Sequence, residues 1–415
     1  MCHPASNRVL ISLRLVQNAD DAGARRIAFY IDSRHHGVST LADPILADFQ
    51  GISLLIYNDA IFSEEDFKSI QRIGDSLKKT SESSGKIGRF GIGFNAVYHW
   101  TDLPSFISSK YLVMLDPQAR FLPNVNPSNP GKIVDFTSKD FPMNEYRDQF
   151  SPYELHSDAR GGWDHSWDRP FKGTLFRLPL RTKLQAESSL LSKRHLSLED
   201  AKQLLASLQE EAASMLLFLK NIEQIEIFAI DPSTTDAHKA PPTPRLLFGC
   251  SIADVTPELR SQRSFISDSR HLSAALKSSI SVDFSLKVIC KGERAEDARH
   301  EQWELCNQLG GPEATSIASA PENALLRLIP WGGVAACVGV QSQTGVKGNN
   351  VRDGVAYCFL PLPIQTQLPV MLNGFFELSS NRRDVWQTGS DMTGEGRTRA
   401  NWNIALMVKR ILYLH

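Results

Sequence analysis

The sequence predicts an α+β fold made of two successive α/β units. Its 415 residues exceed what one hydrophobic core usually organises. Strand-like alternation recurs in the first half of the chain, and it resumes beyond a strongly helical segment that starts at Ser197. We therefore expect an α/β domain over residues 1–185, a bridging helix over 186–222 and a second α/β domain over 223–415.

The first elements follow from periodicity and capping. An amphipathic helix is predicted from Leu13 to Asp21, and alternation predicts strands at 26–32 and 52–58, with a loop and one helical turn between them. Ser63, with Asp66 three residues later, has the pattern of a helix N-cap, so a second helix is expected to run to about residue 73.

A polar, glycine-bearing stretch at 74–91 has the composition of a mobile flap, and a helix is expected to begin at its last glycines. Strands are predicted at 111–115 and 173–180, with a surface excursion rich in Pro, Asn, Trp and Gly over 117–171. Further elements are a helix capped by Ser197 and strands at 222–230, 281–290, 324–329, 334–340 and 355–360.

Composition excludes several classes of protein. Lys plus Arg number 45 against 46 Asp plus Glu, and no basic block is present, so nucleic acid is not an expected partner. The six cysteines contain no CxxC or zinc-type spacing, which is typical of reduced thiols in a cytosolic protein. No apolar run approaches the roughly 18 residues that span a bilayer. We expect a cytoplasmic protein without a membrane partner, with the nucleus as the alternative location, and both chain ends resemble cuts in a longer protein.

Two sequence motifs contain candidate functional residues. QNADDAGA at 17–24 lies in the first helix and puts Asn18 and Asp21 on one stripe, at i and i+3. GRFGIGF at 88–94 is a glycine-rich turn whose backbone can close over phosphates. Either motif alone is a weak signal, but their order and spacing are informative.

In this order, the two motifs resemble the ATP pocket of the gyrase, histidine-kinase, MutL and heat-shock-ninety superfamily (GHKL). Two further stretches, LLIYNDAIFSEEDF at 54–67 and FLPLPIQTQLPVMLNGFFELSSNRRDVW at 359–386, make the chain similar to the sacsin-type repeat, or Sacsin/Nov domain. The resemblance implies a two-layer α/β sandwich of the GHKL (Bergerat) type, with ATP and Mg²⁺ as cofactors. It also implies a chaperone or chaperone-regulating role in which nucleotide closes a glycine-rich lid.

Residue roles carried over from the family concern the nucleotide. Asn18 is the expected Mg²⁺ ligand, because an amide oxygen can bind a hard cation, and Asp21 is expected to support the pocket by hydrogen bonds. The residue that reads the adenine amine is expected to be Asp59, with Asn58 as the alternative, because the family's DxGxG glycines are missing here. Thr174 matches the late-strand Thr whose hydroxyl approaches the adenine.

The phosphates are expected to meet the backbone of the glycine-rich turn and the helix start that follows it. This assigns nucleotide binding to Gly88, Gly91, Gly93 and Phe94.

Arg14 departs from the family pattern. It stands four residues before Asn18, where hydrolytic members have the Glu that activates water, and a guanidinium cannot act as a general base. Arg382 and Arg383 are candidate phosphate sensors from the second domain. Two functions stay open: an ATP-binding chaperone module with client or co-chaperone partners, and a nucleotide-binding or protein-docking scaffold that does not hydrolyse ATP.

Overall fold

The computed structural model is a mixed α and β structure, as the sequence predicts. It describes residues 5–71, 94–155, 167–232, 243–265, 278–294, 297–342, 353–379, 385–386 and 393–411. The chain divides into two compact units. Unit 1 is Met1–Glu210 with Gln224–Gly249, and unit 2 is Glu211–Glu223 with Cys250–His415.

The described residues of unit 1 form four complete helices, the start of a fifth helix and seven complete strands. They are α1 Ala5–Asp21, β1 Arg26–Asp32, β2 Ser53–Asn58, α2 Glu64–Gln71, β3 Ser105–Ser109, β4 Tyr111–Leu115, β5 Gly131–Asp135, α3 Arg147–Phe150, β6 Phe171–Pro179, α4 Lys183–Ser188, the start of α5 Leu198–Met215, and β7 Gln224–Ile230. Short 3-10 helices occupy Pro44–Phe49, Phe94–His99, Met143–Tyr146 and Ser151–Tyr153.

The strands of unit 1 lie in the order β7-β1-β2-β6-β3-β4-β5. β7 is parallel to β1, and the remaining pairs are antiparallel. The register puts Asn58 opposite Ile27 on one side and Thr174 on the other. β7 pairs with β1 along its whole length, so it belongs to unit 1, whereas the sequence prediction assigned it to a domain beginning at residue 223.

Most of the predicted elements of unit 1 are present. α1 contains the predicted helix, β1 and β4 have the predicted bounds, and β2 differs by one residue. The cap of α2 is formed, because the Ser63 amide donates to Asp66 Oδ2 at 2.9 Å and the Asp66 amide donates to Ser63 Oγ at 3.2 Å. The predicted flap at 74–91 lies outside the described residues.

The described parts of the stretch at 117–171, residues 117–155 and 167–171, do not form the surface excursion that its composition predicts. They contain β5, and Phe136, Phe150 and Tyr153 are among the buried residues of a core cluster. The aromatic side chains are widely spaced among Pro, Gly and Asn, so no periodicity reveals that they are buried.

Unit 2 contains the end of α5 and further helices and strands. They are the end of β8 Arg245–Ile252, α6 Pro257–Arg263, β9 Ile280–Gly292, β10 Arg299–Leu309, α7 Pro312–Ser319, β11 Trp331–Ser342, β12 Val355–Cys358, β13 Leu360–Gln365, β14 Met371–Gly374 and α8 Gly394–Ile411. The strand order is β13-β12-β14-β11-β10-β9-β8, and one core cluster contains the fully buried Trp402.

The strand predicted at 324–329 is wrong. Pro321–Leu326 is a 3-10 helix, and Arg327 follows it in the left-handed region with φ 49°. Leu325 is 96% exposed, so the apolar run does not reflect a buried strand. No helix among the described residues is long and apolar enough to cross a membrane.

Candidate functional site

Three polar side chains meet where β2, β6 and β3 lie side by side. Asn58, Ser108 and Thr174 are buried, and the register pairs Thr174 with both of the others. Thr174 Oγ1 donates to the Ala60 carbonyl at 2.8 Å and lies 2.9 Å from Ser108 Oγ, which also contacts the Gly173 carbonyl at 2.9 Å. We call Asn58, Ser108 and Thr174 the strand-end cluster.

Asn58 has unused hydrogen-bonding capacity within this cluster. Its Oδ1 accepts a hydrogen bond from the Ala60 amide at 3.1 Å. Among the residues that the structure describes, the Asn58 Nδ2 amide has no acceptor. An amide side chain that is 6% exposed, with a donor that no described residue occupies and a second lone pair on its oxygen, is suited to a ligand that carries both a donor and an acceptor.

Gly173 is required for the close approach of β6 to the end of β2. Its φ is +130°, and a Cβ added there would lie 2.6 Å from the Asn58 carbonyl oxygen and 2.7 Å from the Tyr57 ring. A side chain at this position would therefore displace β2 just where Asn58 is held. This explains why a glycine precedes Thr174.

Asp59 is turned towards β1. It is exposed, and its Oδ1 accepts hydrogen bonds from the Arg25 amide at 2.8 Å and the Arg26 amide at 3.0 Å. These contacts satisfy the backbone at the start of β1. The structure thus brings Asn58, and not Asp59, together with Thr174.

The predicted residues of α1 share one side of the helix. Arg14, Asn18 and Asp21 are spaced at i, i+4 and i+7; Asn18 is exposed, and the other two are half-buried. The opposite side packs into the core through Leu13, Leu15, Val16 and Ala19. Asp20, the neighbour of Asp21, is buried at 2% exposure.

Five predicted site residues lie outside the described residues: Gly88, Gly91, Gly93, Arg382 and Arg383. The backbone of Phe94 begins the 3-10 helix Phe94–His99, and this helix contacts α1. The residues directly after the glycine-rich turn therefore adjoin the helix that carries Asn18.

A buried ion pair that the sequence analysis missed anchors this 3-10 helix. The Arg181 guanidinium contacts Asp102 Oδ1 through Nη2 at 2.7 Å and through Nε at 2.9 Å, and both residues are 1% exposed. Arg181 Nη2 also donates to the Tyr98 carbonyl at 2.6 Å, and Nη1 donates to the His99 carbonyl at 3.1 Å. The carbonyls that end the helix are thus bound by one guanidinium. The sequence signal that could have identified the pair is Asp102, which lies eight residues after Phe94, the last residue of the GRFGIGF motif.

A second buried polar group lies at the other end of β1. Asp32 pairs in register with Ser53, the first residue of β2, and contacts Arg34 Nε at 2.7 Å and His36 Nε2 at 3.2 Å. Burial opposes ionisation of Asp32, but the hydrogen bonds from His36 and Arg34 hold the pKa of its carboxyl well below the usual range. Burial lowers the pKa of His36 to about 4. This network lies away from the strand-end cluster and stabilises the opposite end of the sheet.

A divalent cation would need ligands beyond these side chains. In the part of the chain that the structure describes, no group of three or more His, Cys, Asp or Glu side chains could hold a metal ion. An oxygen ligand such as Asn18 could bind Mg²⁺ together with ligand phosphates and water, which is how Mg²⁺ is commonly held at nucleotide sites.

Comparison with known proteins gives one family. The family model for the Sacsin domain matches residues 5–241. Human sacsin is 34% identical over 405 residues, which is 96% of this chain and 8% of sacsin. The chain therefore spans a small fraction of the length of this curated relative.

Two solved structures are similar at low scores. One is the ATPase region of Saccharomyces cerevisiae topoisomerase II, with 11% identity and a TM-score of 0.26 over 73% of this chain and 58% of that chain. The other is the same region bound to ICRF-187 (dexrazoxane), with 9% identity and a TM-score of 0.27 over 98% of this chain and 85% of that chain. At TM-scores this low, neither structure assigns a role to a residue of this chain.

Proposed function

Because the chain belongs to the Sacsin domain family, we propose that unit 1 binds an adenine nucleotide with Mg²⁺ and serves as a chaperone or chaperone-regulating module. The observation that carries the proposal is the buried pairing of Asn58 with Thr174 in register on β2 and β6. Family membership supports nucleotide binding, and the strand-end cluster supports the end of the sheet that carries Asn58 and Thr174 as the site of the base.

Asn58 is the residue that we propose reads the base. An amide offers an acceptor to the exocyclic amine of adenine and a donor to an adjacent ring nitrogen, and Asn is a residue that pairs with adenine in this bidentate way. Guanine has a carbonyl oxygen in place of that amine, so the same amide orientation would pair two acceptors. Asp59 is less suited, because its Oδ1 already accepts from two backbone amides.

The phosphates and the metal would lie towards α1. Asn18 supplies a neutral oxygen that would hold Mg²⁺, and Asp21 lies one turn further along the same side of the helix. The bound metal would neutralise phosphate charge. Gly88, Gly91, Gly93 and Phe94 stay proposed phosphate contacts, and Arg382 and Arg383 stay proposed sensors.

The chaperone role requires nucleotide to favour one conformation. ATP would have to bind a closed arrangement of the glycine-rich lid more tightly than an open one, since a ligand shifts an equilibrium only by its differential affinity. Client or co-chaperone proteins are the proposed partners, and the cytoplasm is the proposed location, with the nucleus as the alternative.

A second candidate function is favoured by Arg14. A guanidinium, four residues before Asn18 on the same side of α1, cannot take a proton from water. The chain would then bind nucleotide as a docking scaffold without turning it over. Both candidates share the same binding site and differ in phosphate release.

One experiment tests the binding and separates the two candidates. Calorimetric titration of the 415-residue chain with Mg-ATP should give saturable binding, and Asn58→Ala should weaken it. Phosphate release measured on the same sample then distinguishes turnover from binding. If Mg-ATP gives no binding heat and does not raise the melting temperature of the folded chain, nucleotide binding is not its function.

A further inference from the structure

Two buried cysteines of unit 2 lie within contact distance of each other. The sulfur atoms of Cys250, on β8, and Cys290, on β9, are 3.5 Å apart, and each residue is 1% exposed. The next strand, β10, puts Arg299 opposite Cys290 in register. Two thiols and a guanidinium therefore lie in a row across three neighbouring strands.

The surroundings favour different protonation of the two thiols. The hydrogen bond with Cys250 and the charge of Arg299 outweigh burial and lower the pKa of Cys290. The hydrogen bond with Cys290 and burial raise the pKa of Cys250. Arg299 is oriented by Glu301, whose Oε1 lies 3.0 Å from Arg299 Nε and whose Oε2 accepts from Trp303 Nε1 at 3.0 Å. Cys290 is therefore the thiol of the pair that ionises more readily.

We propose that Cys250 and Cys290 form a redox-active dithiol that small hydroperoxides oxidise to a disulfide. The Cys290 thiolate attacks the peroxide oxygen, which breaks the O–O bond and gives a sulfenic acid and hydroxide. The Cys250 sulfur then attacks the Cys290 sulfur, the S–O bond breaks, and the sulfenic oxygen leaves as water with the proton of the Cys250 thiol. The hydroxide of the first step becomes the second water by taking the proton that Cys290 released when it ionised. Overall, two thiols and one hydrogen peroxide give one disulfide and two waters.

The geometry suits this bond. The sulfur atoms must approach from 3.5 Å to about 2.05 Å, and the strands that carry them, β8 and β9, are hydrogen-bonded neighbours in the sheet. Burial favours a small oxidant over a bulky one such as a peptide disulfide. The Arg299 side chain, whose residue pairs in register with Cys290, is 35% exposed.

Exposure alone predicts a different pattern of oxidation. Cys306, Cys337 and Cys358 are more exposed than Cys250 and Cys290. If oxidation followed accessibility, these three cysteines would react before Cys250 and Cys290, and they serve as internal controls within one molecule.

The test uses the folded full chain and hydrogen peroxide. After brief treatment, blocking of free thiols and digestion without reductant, mass spectrometry should find a Cys250–Cys290 cross-linked peptide that is about 2 Da lighter than the two reduced peptides. Dithiothreitol should reverse it. Preferential oxidation of Cys306, Cys337 or Cys358, with Cys250 and Cys290 still reduced in the folded chain, would overturn the proposal.

Variants assign the steps. Cys250→Ser should leave a Cys290 sulfenic acid that dimedone traps, whereas Cys290→Ser should leave no trapped sulfenic acid at Cys250. Arg299→Gln should slow Cys290 oxidation and Arg299→Lys should largely preserve it, with Cys306→Ser as the matched control. Equal sulfenic acid at both sulfurs, or equal rates for the two Arg299 variants, would contradict the assigned order. Whether the Cys250–Cys290 disulfide forms is decided by the peptide map of the wild-type chain, so a variant that misfolds does not affect this result.

Discussion

Asn58 and Thr174 lie directly opposite each other on β2 and β6, buried at the same end of the sheet, while Asp59 points to the start of β1. Asn58 and Asp59 are thus adjacent in the chain but have different partners. The amide of Asn58 is available to a ligand, and the carboxylate of Asp59 satisfies two backbone amides. Nucleotide selectivity should therefore follow Asn58.

Asn58→Ala should reduce the preference for ATP over GTP. A bidentate contact between an amide and adenine contributes about 1–3 kcal/mol of discrimination, and alanine removes both hydrogen bonds. Competition calorimetry with the two Mg-nucleotides measures the preference. The control is Asp59→Asn, which keeps an acceptor for the Arg25 amide and should retain the preference for ATP. The reverse pattern would move the base contact to Asp59.

Asn18→Ala should weaken Mg-ATP binding by tenfold or more, since a polar contact to a charged group contributes about 1.5–3 kcal/mol, which is about 10- to 150-fold in affinity. The loss should depend on the metal, so wild type and variant should bind ATP alike when EDTA removes Mg²⁺. Gln17→Ala changes the preceding residue of α1 and should leave the affinity unchanged. A tenfold loss that persists in EDTA would show that Asn18 contacts the nucleotide rather than the metal.

Gly173→Ala should destabilise unit 1 and also weaken nucleotide binding. The added methyl group would lie 2.6 Å from the Asn58 carbonyl oxygen at a backbone φ of +130°, and such strain costs about 1–3 kcal/mol. Urea unfolding measures the loss. Gly249→Ala is the matched control, because its added Cβ would approach no atom closer than 3.8 Å. Equal stability of the two variants would contradict the assigned role of Gly173.

Sequence patterns predicted the strands whose own residues are strong strand formers. They failed for features that depend on contacts with residues distant in the chain. β1 and β4 were predicted with their observed bounds because alternating Ile, Phe, Tyr and Leu side chains are strong strand formers. β10 was missed, because its exposed positions carry His, Glu and Gln, which are weak strand formers. The run at Leu325 was mistaken for a strand, because no local signal tells an exposed leucine from a buried one.

The same limit applies to the site. The family resemblance identified Asn58, Asp59 and Thr174 as candidates, but the orientation of Asp59 depends on backbone amides more than 30 residues earlier in the chain. The Arg181–Asp102 pair joins residues that are 79 positions apart, and neither residue type is expected in a core. Only the fold brings these partners together.

The stability of unit 1 should fall as the pH drops from 6.5 towards 4, in part through His36. Burial holds the pKa of His36 at about 4, against an ordinary value of 6.5, so the unfolded chain binds a proton in this interval before the folded chain does. The contribution is fully present above pH 6.5 and is lost towards pH 4, to a limit of about 3 kcal/mol. His36→Gln should flatten the dependence in urea unfolding between pH 7 and 4.5. His35→Gln, which alters the exposed neighbour, should retain it.

Arg14→Glu should raise the rate of ATP hydrolysis while leaving Mg-ATP binding broadly intact. The position lies one helical turn before Asn18 on the same side of α1. The resemblance to the GHKL superfamily implies a general base at this position. General-base assistance contributes about 100- to 10,000-fold in rate, so wild type should turn over very slowly or not at all. Steady-state phosphate release, measured beside calorimetric binding, tests both statements.

The control for this last variant is Arg14→Gln, which removes the positive charge without supplying a base. If the carboxylate of the new Glu acts by taking a proton from water, Arg14→Gln should stay as slow as wild type, because an amide does not accept that proton. A rise in both variants would instead mean that the guanidinium of Arg14 inhibits turnover by its charge. Wild-type turnover that Arg14→Glu does not improve would assign the base to another carboxylate. Binding must be present in each sample, since a variant that no longer binds Mg-ATP says nothing about the proton transfer.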